Sequence, residues 1–209
     1  MAFCTINDVK LSAMAIALPK TTESNRDLPF GAEVNAKLIT TTGIETRHVA
    51  PPEICASDLC FVAAEKLIAD NNIDRDSIDL LIFQSQTPDY IIPYTSAILQ
   101  NKLGLNTSTI CFDLNMGCSG FVYALFMAAS ILQNGKAKRA LVLSGDVLTH
   151  IISKTDRTTR PIFGDGGSAT LLEYCENRQI LLALNTDGAG YDSIIIEACG
   201  ARKPVTSDS

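Results

Sequence analysis

The sequence predicts an α/β fold, with a mixed, mostly parallel sheet that has helices on both faces and one helix buried at its centre. Two observations lead to this fold class. Short apolar runs typical of strands alternate with helical patterns along the chain, an order that favours a largely parallel sheet. Residues 121–132, FVYALFMAASIL, would be apolar on every face of a helix, and in a water-soluble chain such a helix lies inside the fold.

The first half of the chain is predicted to contain two strands and three helices. These elements are a strand over 9–18, helices over 31–39, 57–71 and 94–103, and a strand over 78–85. The strand over 78–85 is continuously apolar, as are strands that are covered on both faces. Ser57 is expected to cap the second helix, and Gly104 is expected to stop the third.

The second half adds the central helix and further strands. The predicted elements are strands over 109–114, 139–145, 180–186 and 193–198, and a helix that opens at Cys118 or Ser119 and stops at Gly135. The run GDGGS at 164–168 matches no phosphate-binding loop and is predicted to allow tight backbone packing beside the buried helix. The run DGAG at 187–190 predicts a hairpin-type turn. Residues 1–200 are expected to form one domain, and 201–209 a tail or the start of a linker.

Composition excludes several functional classes. No stretch reaches the about eighteen uninterrupted apolar residues that a membrane span needs, and the N-terminus lacks the basic and apolar regions of a signal peptide. We therefore expect a cytoplasmic protein with no membrane partner. The net charge of -6 argues against nucleic acid as a partner, because phosphate binding needs clustered Lys and Arg.

The cysteines are expected to be free thiols. Their number is odd, and no CxxC pair or neighbouring histidine accompanies them, which argues against a disulfide framework and against a zinc site. The seven are Cys4, Cys55, Cys60, Cys111, Cys118, Cys175 and Cys199. No metal and no bound cofactor is predicted.

Cys118 is the candidate nucleophile, because it lies between a predicted strand and the start of the buried helix. The first N–H groups of a helix lack intrahelical partners and carry partial positive charge, which favours a thiolate, the reactive form, over the thiol. Gly117 and Gly120 would leave room for a substrate, and Ser119 can cap the helix. The alternative is that Cys118 is one more small buried residue, as free cysteines usually are.

The histidines and Asp113 are the other side chains whose chemistry could serve catalysis. His48 and His150 are the only histidines, and each is interpreted as a surface residue without function, since both have polar surroundings. Asp113 could orient a base near Cys118, but no histidine is predicted beside it.

A resemblance to the N-terminal half of a beta-ketoacyl-acyl-carrier-protein synthase III is carried by DLNMGCSGFVYALFMAASILQNGKAKRALVLSGDVL, with TDRTTRPIFGDGGSATLL behind it. Three further runs resemble segments of the same family in the same order: TTGIETRHVAP, IDLLIFQSQTPDYIIP and DGAGYDSIIIEACGARKP. The resemblance implies a thiolase-like fold of two similar halves in one chain. It also implies an enzyme that condenses an acyl group from coenzyme A with a malonyl group on acyl carrier protein.

Three positions correspond to functional residues of that family. The resemblance implies that Cys118 accepts the acyl group as a thioester and that Arg157 contacts the coenzyme A nucleotide. Ile92 corresponds to a residue that closes the acyl pocket of the partner subunit, which implies a homodimer. The implied partners are therefore acyl-coenzyme A, acyl carrier protein and a second copy of the chain.

The sequence departs from the family in two ways. It stops near where the second half would begin, so it lacks the family's histidine and asparagine donors and a downstream glycine of the oxyanion hole. Lys37 and Thr41 stand where the family has a tryptophan and an arginine that hold the adenine and phosphate end of coenzyme A. This predicts either a different way of holding the donor or a different donor.

Three functions remain open from the sequence. The favoured hypothesis is the N-terminal half of a condensing enzyme, inactive in condensation by itself and prone to self-association through apolar surface that the second half would cover. The second is an acyltransferase or specialised polyketide synthase with a different acceptor. The third is a non-catalytic subunit that keeps the fold.

Overall fold

A computed structural model gives the fold of residues 2–198 and 200–204. Cys199 and the last five residues of the predicted tail, 205–209, lie outside this description. The chain divides into two compact units, one drawn from both ends of the chain and one that is Thr5–Ile180. All three candidate site residues belong to Thr5–Ile180.

The elements alternate much as the sequence predicts. In chain order they are β1 (Ala2–Ala17), β2 (Thr22–Ser24), α1 (Ala32–Thr42), β3 (Thr46–His48), α2 (Ala56–Asp70), β4 (Leu80–Gln84), α3 (Thr95–Lys102), β5 (Ile110–Leu114), α4 (Gly120–Leu132), β6 (Arg139–Asp146) and β7 (Gly166–Leu184). Gly104 follows α3 with a φ of 61°, a left-handed conformation that suits glycine, so the predicted stop is confirmed.

The main sheet is mixed, as predicted. Its strand order is β1-β7-β6-β4-β5, in which β4 pairs in parallel with both β5 and β6, while β6 and β7 are antiparallel. A separate small sheet pairs β2 with β3 in antiparallel fashion. Because β4, β5 and β6 run in one direction, their carboxyl ends meet at one edge, where α/β proteins place their sites.

Helix α2 packs on one face of the sheet through very close backbone contacts. A Cβ added at Gly167 would lie 2.5 Å from the Cys60 nitrogen and 2.7 Å from the Leu59 carbonyl carbon. The glycine-rich run at 164–168 therefore serves tight packing, as predicted. The partner differs from the prediction, however, because the contact at Gly167 is with α2 and not with the central helix.

The start of α2 also corrects the sequence analysis. Cys55, not Ser57, is the N-cap residue, and the Asp58 carboxylate accepts a hydrogen bond of 3.0 Å from the Cys55 N–H. The Ser57 hydroxyl instead donates to Asp89 at 2.8 Å. The role of Ser57 is therefore set by Asp89, a residue distant in the sequence, and local helix-capping propensity could not predict this contact.

The C-terminal elements differ from those predicted. The strand expected over 180–186 is the end of β7, a single strand of nineteen residues. Within the described residues, 193–198 forms no strand and joins neither sheet. An apolar run predicts a strand only where another strand supplies the ladder of hydrogen bonds.

The central helix α4 has one buried face. Ala124, Ala128 and Leu132 are fully buried, and the helix contacts β4 and β6. On its other side Val122 and Met127 are 39% and 38% exposed. The central helix is thus confirmed, but within the described residues it is not buried on every face.

Candidate active site

Cys118 lies in a tight turn between β5 and α4. The Gly120 N–H donates to the Gly117 oxygen at 2.7 Å, which closes the turn around Cys118 and Ser119. The helix begins at Gly120, later than predicted, and the Ser119 side chain makes no capping hydrogen bond. Cys118 thus lies two residues before the helix. Its side chain is exposed, so the alternative that it is a small buried residue is wrong.

Two glutamines flank this turn. A Cβ at Gly117 would lie 2.7 Å from Gln86 Oε1, and a Cβ at Gly120 would lie 2.6 Å from Gln84 Nε2. The two glycines were predicted to leave room for a substrate. In the structure they leave room for these two side chains, which reach the turn from the end of β4 and the residues after it.

Asp113 stabilises the neighbouring helix. Its two carboxylate oxygens accept from the backbone N–H groups of Thr95 at 2.6 Å and Ser96 at 2.8 Å. These groups lie in the first turn of α3, where N–H groups lack intrahelical partners. The structure thus gives Asp113 a capping role, and the hypothesis that it orients a catalytic base finds no support in its contacts.

Asp146, at the end of β6, shapes the loop that follows β4. Its Oδ1 accepts from the backbone N–H groups of Gln86 at 2.7 Å and Thr87 at 3.1 Å, and from the hydroxyls of Ser85 at 2.9 Å and Thr87 at 3.0 Å. Asp146 was not among the residues predicted to be functional. The sequence feature that could have indicated it is a lone carboxylate at the carboxyl end of a buried strand.

The two histidines are bonded to backbone carbonyls. His48 Nδ1 lies 2.7 Å from the Pro19 oxygen, and His150 Nε2 lies 3.1 Å from the Ala50 oxygen. His150 is exposed and His48 is half-buried, so the surface prediction holds fully only for His150.

Arg157 and Ile92 lie on separate loops. Arg157 is exposed, and its guanidinium lies 5.8 Å from the centre of the Phe30 ring. Ile92 follows β4 in a run of exposed apolar side chains, with Ile91 at 93% and Ile92 at 85% exposure. The loops carrying Ile92, Cys118 and Arg157 follow β4, β5 and β6, which places them all after the carboxyl ends of parallel strands.

The thiols differ sharply in their surroundings. Of the six cysteines that the structure describes, Cys118 alone is exposed. Burial raises the pKa of Cys60 to about 12, and burial with the nearby Asp113 carboxylate raises the pKa of Cys111 to about 11. Both are thus poor nucleophiles at neutral pH.

Two features are absent from the part of the chain that the structure describes. Among the described residues, no three or more His, Cys, Asp or Glu side chains are grouped so that they could hold a metal ion. No helix in this part of the chain has the length and apolar character needed to cross a membrane.

Comparison with known proteins relates this site to one family. The profile of a family described as 3-oxoacyl-[acyl-carrier-protein (ACP)] synthase III matches residues 112–188. This segment contains Cys118 and Arg157.

Solved structures extend the similarity over most of the chain. A 3-oxoacyl-(acyl-carrier protein) synthase from Burkholderia xenovorans LB400 is 34% identical with a TM-score of 0.92, and the match covers 97% of this chain and 59% of that one. A 3-oxoacyl-(acyl-carrier-protein) synthase III is 33% identical with a TM-score of 0.88, covering 97% and 61%. The corresponding enzyme from Aquifex aeolicus VF5 is 30% identical with a TM-score of 0.70, covering 84% and 55%.

These likenesses confirm the predicted thiolase-like α/β fold. The chain spans about 60% of the length of the first two proteins, as the shares of 59% and 61% show.

The differences between the thiols predict their order of reaction. At pH 8, iodoacetamide should label Cys118 before Cys60 and Cys111, because with a pKa of about 11 roughly one Cys111 side chain in a thousand is a thiolate at that pH. Below this pKa the thiolate fraction rises about tenfold for each pH unit, so labelling of Cys111 should rise about tenfold between pH 8 and pH 9. Peptide mass spectrometry over a time course measures the rates. Labelling of Cys111 that keeps pace with Cys118, or that does not change with pH, would contradict the prediction.

Proposed function

Because the chain belongs to the 3-oxoacyl-(acyl-carrier-protein) synthase III family, we propose that it carries the acyl-accepting site of a condensing enzyme. In this proposal Cys118 takes an acyl group from coenzyme A and holds it as a thioester. The observation that carries the proposal is the exposed thiol of Cys118, in a turn between a strand of the parallel sheet and the start of the central helix.

The acylation step balances without a further reagent. The Cys118 thiolate attacks the thioester carbonyl, a new C–S bond forms, and the bond to the coenzyme A sulfur breaks. The departing thiolate takes up the proton that Cys118 has lost. Such an intermediate divides a difficult carbon–carbon bond formation into two easier steps.

The second step would be decarboxylative condensation with malonyl-acyl carrier protein. Loss of carbon dioxide leaves an enolate on acyl carrier protein, whose carbon attacks the Cys118 thioester. A C–C bond forms, the C–S bond to Cys118 breaks, and the β-ketoacyl product leaves on acyl carrier protein while Cys118 returns to a thiolate. The developing negative charge needs hydrogen-bond donors. The resemblance assigns these donors to a histidine and an asparagine beyond the matched region, so we propose that residues outside this sequence complete the condensation site.

A specific observation supports a second candidate function. Lys37 and Thr41 both lie on α1, and the resemblance implies that they replace a tryptophan and an arginine with which the family holds coenzyme A. The alternative is therefore acyl transfer to an oxygen or nitrogen nucleophile, or a specialised polyketide step. Donor competition tests the altered coenzyme A contacts, since a coenzyme A-dependent enzyme is loaded by acetyl-coenzyme A in preference to other acyl thioesters. The acceptor separates the two functions: condensation forms a β-ketoacyl product with release of carbon dioxide, whereas the alternative forms an ester or an amide. We place either enzyme in the cytoplasm, where thiols stay reduced.

Acylation is the direct test of the proposed function. After incubation with acetyl-coenzyme A or longer acyl-coenzyme A donors, intact-protein mass spectrometry should show the mass increase of one acyl group. Cys118→Ser should abolish the increase, because the hydroxyl is a much weaker nucleophile at neutral pH. Cys175→Ser is the matched control on another partly exposed cysteine and should leave the increase unchanged.

Two results would contradict this prediction. Acylation that persists in folded Cys118→Ser would assign the reaction to another side chain. No acylation of the folded chain, alone or supplied with the remainder of a family member, would favour the non-catalytic alternative.

Arg157 is proposed to contact the nucleotide of coenzyme A, which carries phosphate groups. Its guanidinium is exposed on the loop after β6. A hydrogen bond to a charged group contributes about 1.5–3 kcal/mol, so Arg157→Ala should raise the donor concentration for half-maximal acylation by about tenfold or more. Arg178→Ala removes an exposed guanidinium from β7 and should have no effect. An unchanged donor dependence in Arg157→Ala would overturn the assignment.

We also propose a homodimer in which Ile92 closes the acyl pocket of the partner. Two observations support it. Ile91 and Ile92 are exposed apolar residues, and β5 lies at the end of the sheet order, where its outer edge pairs with no strand in the described part of the chain. Exposed apolar side chains and open strand edges favour association. Sedimentation velocity should give a dimer at micromolar concentration, and a stable monomer would contradict the proposal.

A further inference from the structure

The amide of Gln84 connects the sheet to the turn that carries Cys118. Gln84 is the last residue of β4 and is only 4% exposed. Its Nε2 donates to the Met116 backbone oxygen at 2.5 Å, and its Oε1 accepts from the Ser144 hydroxyl. A buried amide must satisfy both of its ends, and here the two partners lie on opposite sides of β4.

The sheet register fixes this arrangement. Gln84 is directly opposite Ser144 in the parallel pair of β4 with β6, so the two side chains project from the same face of the sheet. The Ser168 hydroxyl on β7 donates in turn to the Ser144 backbone oxygen at 2.9 Å. Three strands thus hold the position and the orientation of one amide.

The amide also lies against the first residue of α4. A Cβ at Gly120 would lie within 3 Å of three atoms of the Gln84 side chain, so no larger residue fits there unless Gln84 moves. Gln84 therefore contacts the Cys118 turn on both sides, at Met116 before the cysteine and at Gly120 after it. Displacement of the amide would displace the turn.

We propose that Gln84, oriented by Ser144, is a positioning residue that sets the place of the Cys118 thiol relative to the start of α4. The inference rests on the proposed role of Cys118 as the acyl acceptor. A nucleophile must be held within about 0.5 Å of its productive position, and a displacement of about 1 Å can lower a rate about a hundredfold. Gln84 makes no bond to substrate in this proposal and acts only through the turn.

The test uses the 209-residue chain and three variants. Gln84→Met keeps the length of the side chain but removes both hydrogen bonds, and Ser144→Ala removes the group that orients the amide. Gln100→Met is the matched control, because Gln100 Nε2 donates to the Leu105 backbone oxygen at 2.6 Å at the end of α3. The measurements are the acylation rate at saturating acetyl-coenzyme A, the half-saturating donor concentration, and the rate of Cys118 alkylation by iodoacetamide.

We expect Gln84→Met to lower the saturating acylation rate by about tenfold or more, with little change in the half-saturating concentration, since donor binding is not touched. Ser144→Ala should lower the saturating acylation rate severalfold, and Gln100→Met should match the wild type. The rate of Cys118 alkylation should also be lowest in Gln84→Met, intermediate in Ser144→Ala and unchanged in Gln100→Met. Equal rates in folded Gln84→Met and wild type, or an equal loss in Gln100→Met, would overturn the proposal. If Gln84→Met does not fold, Ser144→Ala decides.

Failure of the proposed function gives a different pattern. If the wild-type chain takes no acyl group but Cys118 is alkylated, the acyl-accepting role fails. The alkylation rates of the variants then still decide whether Gln84 positions the thiol.

Discussion

The parallel pairing of β4 with both of its neighbours is the constraint on which the site depends. It brings the carboxyl ends of β4, β5 and β6 to one edge of the sheet. Each of these ends is followed by a loop with a distinct part in the proposed reaction. The loops would lie at opposite edges if either neighbour ran the other way. The backbone ladder of one buried strand therefore decides which parts of the sequence can form a site together.

Side chains at this edge of the sheet fix the conformations of the segments that follow the strands. Gln84 donates to the turn after β5, and Asp146 accepts hydrogen bonds from the loop after β4. Asp113 caps α3, the helix that follows that loop. Each contact joins the end of a strand to a neighbouring loop or to the start of a helix. The rigidity that the proposed nucleophile needs thus comes from hydrogen bonds made by side chains at the ends of the strands.

Much of the fold could be predicted from the sequence, because apolar periodicity follows burial. The strand at Leu80–Gln84 and the helix at Gly120–Leu132 were both expected from continuous apolar runs. The run at 193–198 looked equally apolar, but a strand needs a partner, and pairing is a property of the whole chain. The capping role expected for Ser57 failed for the same reason, since a distant carboxylate competes for its hydroxyl. Cys118 could be proposed as a nucleophile from the sequence because the strand and the helix on either side of it in the sequence are also its neighbours in space. Gln84 and Asp146 were missed because their partners are about 30 and 60 residues away along the chain.

The way in which Asp146 holds its loop bears on how such an enzyme can evolve. Two of the four donors to its carboxylate are backbone N–H groups, which any residue except proline supplies. Mutations at the tip of the loop, around Ile91 and Ile92, can therefore change the size of the side chains without releasing the base of the loop. Under the role proposed for Ile92, a lineage could in this way explore new acyl chains through a few exposed positions while the geometry around the thiol is inherited unchanged.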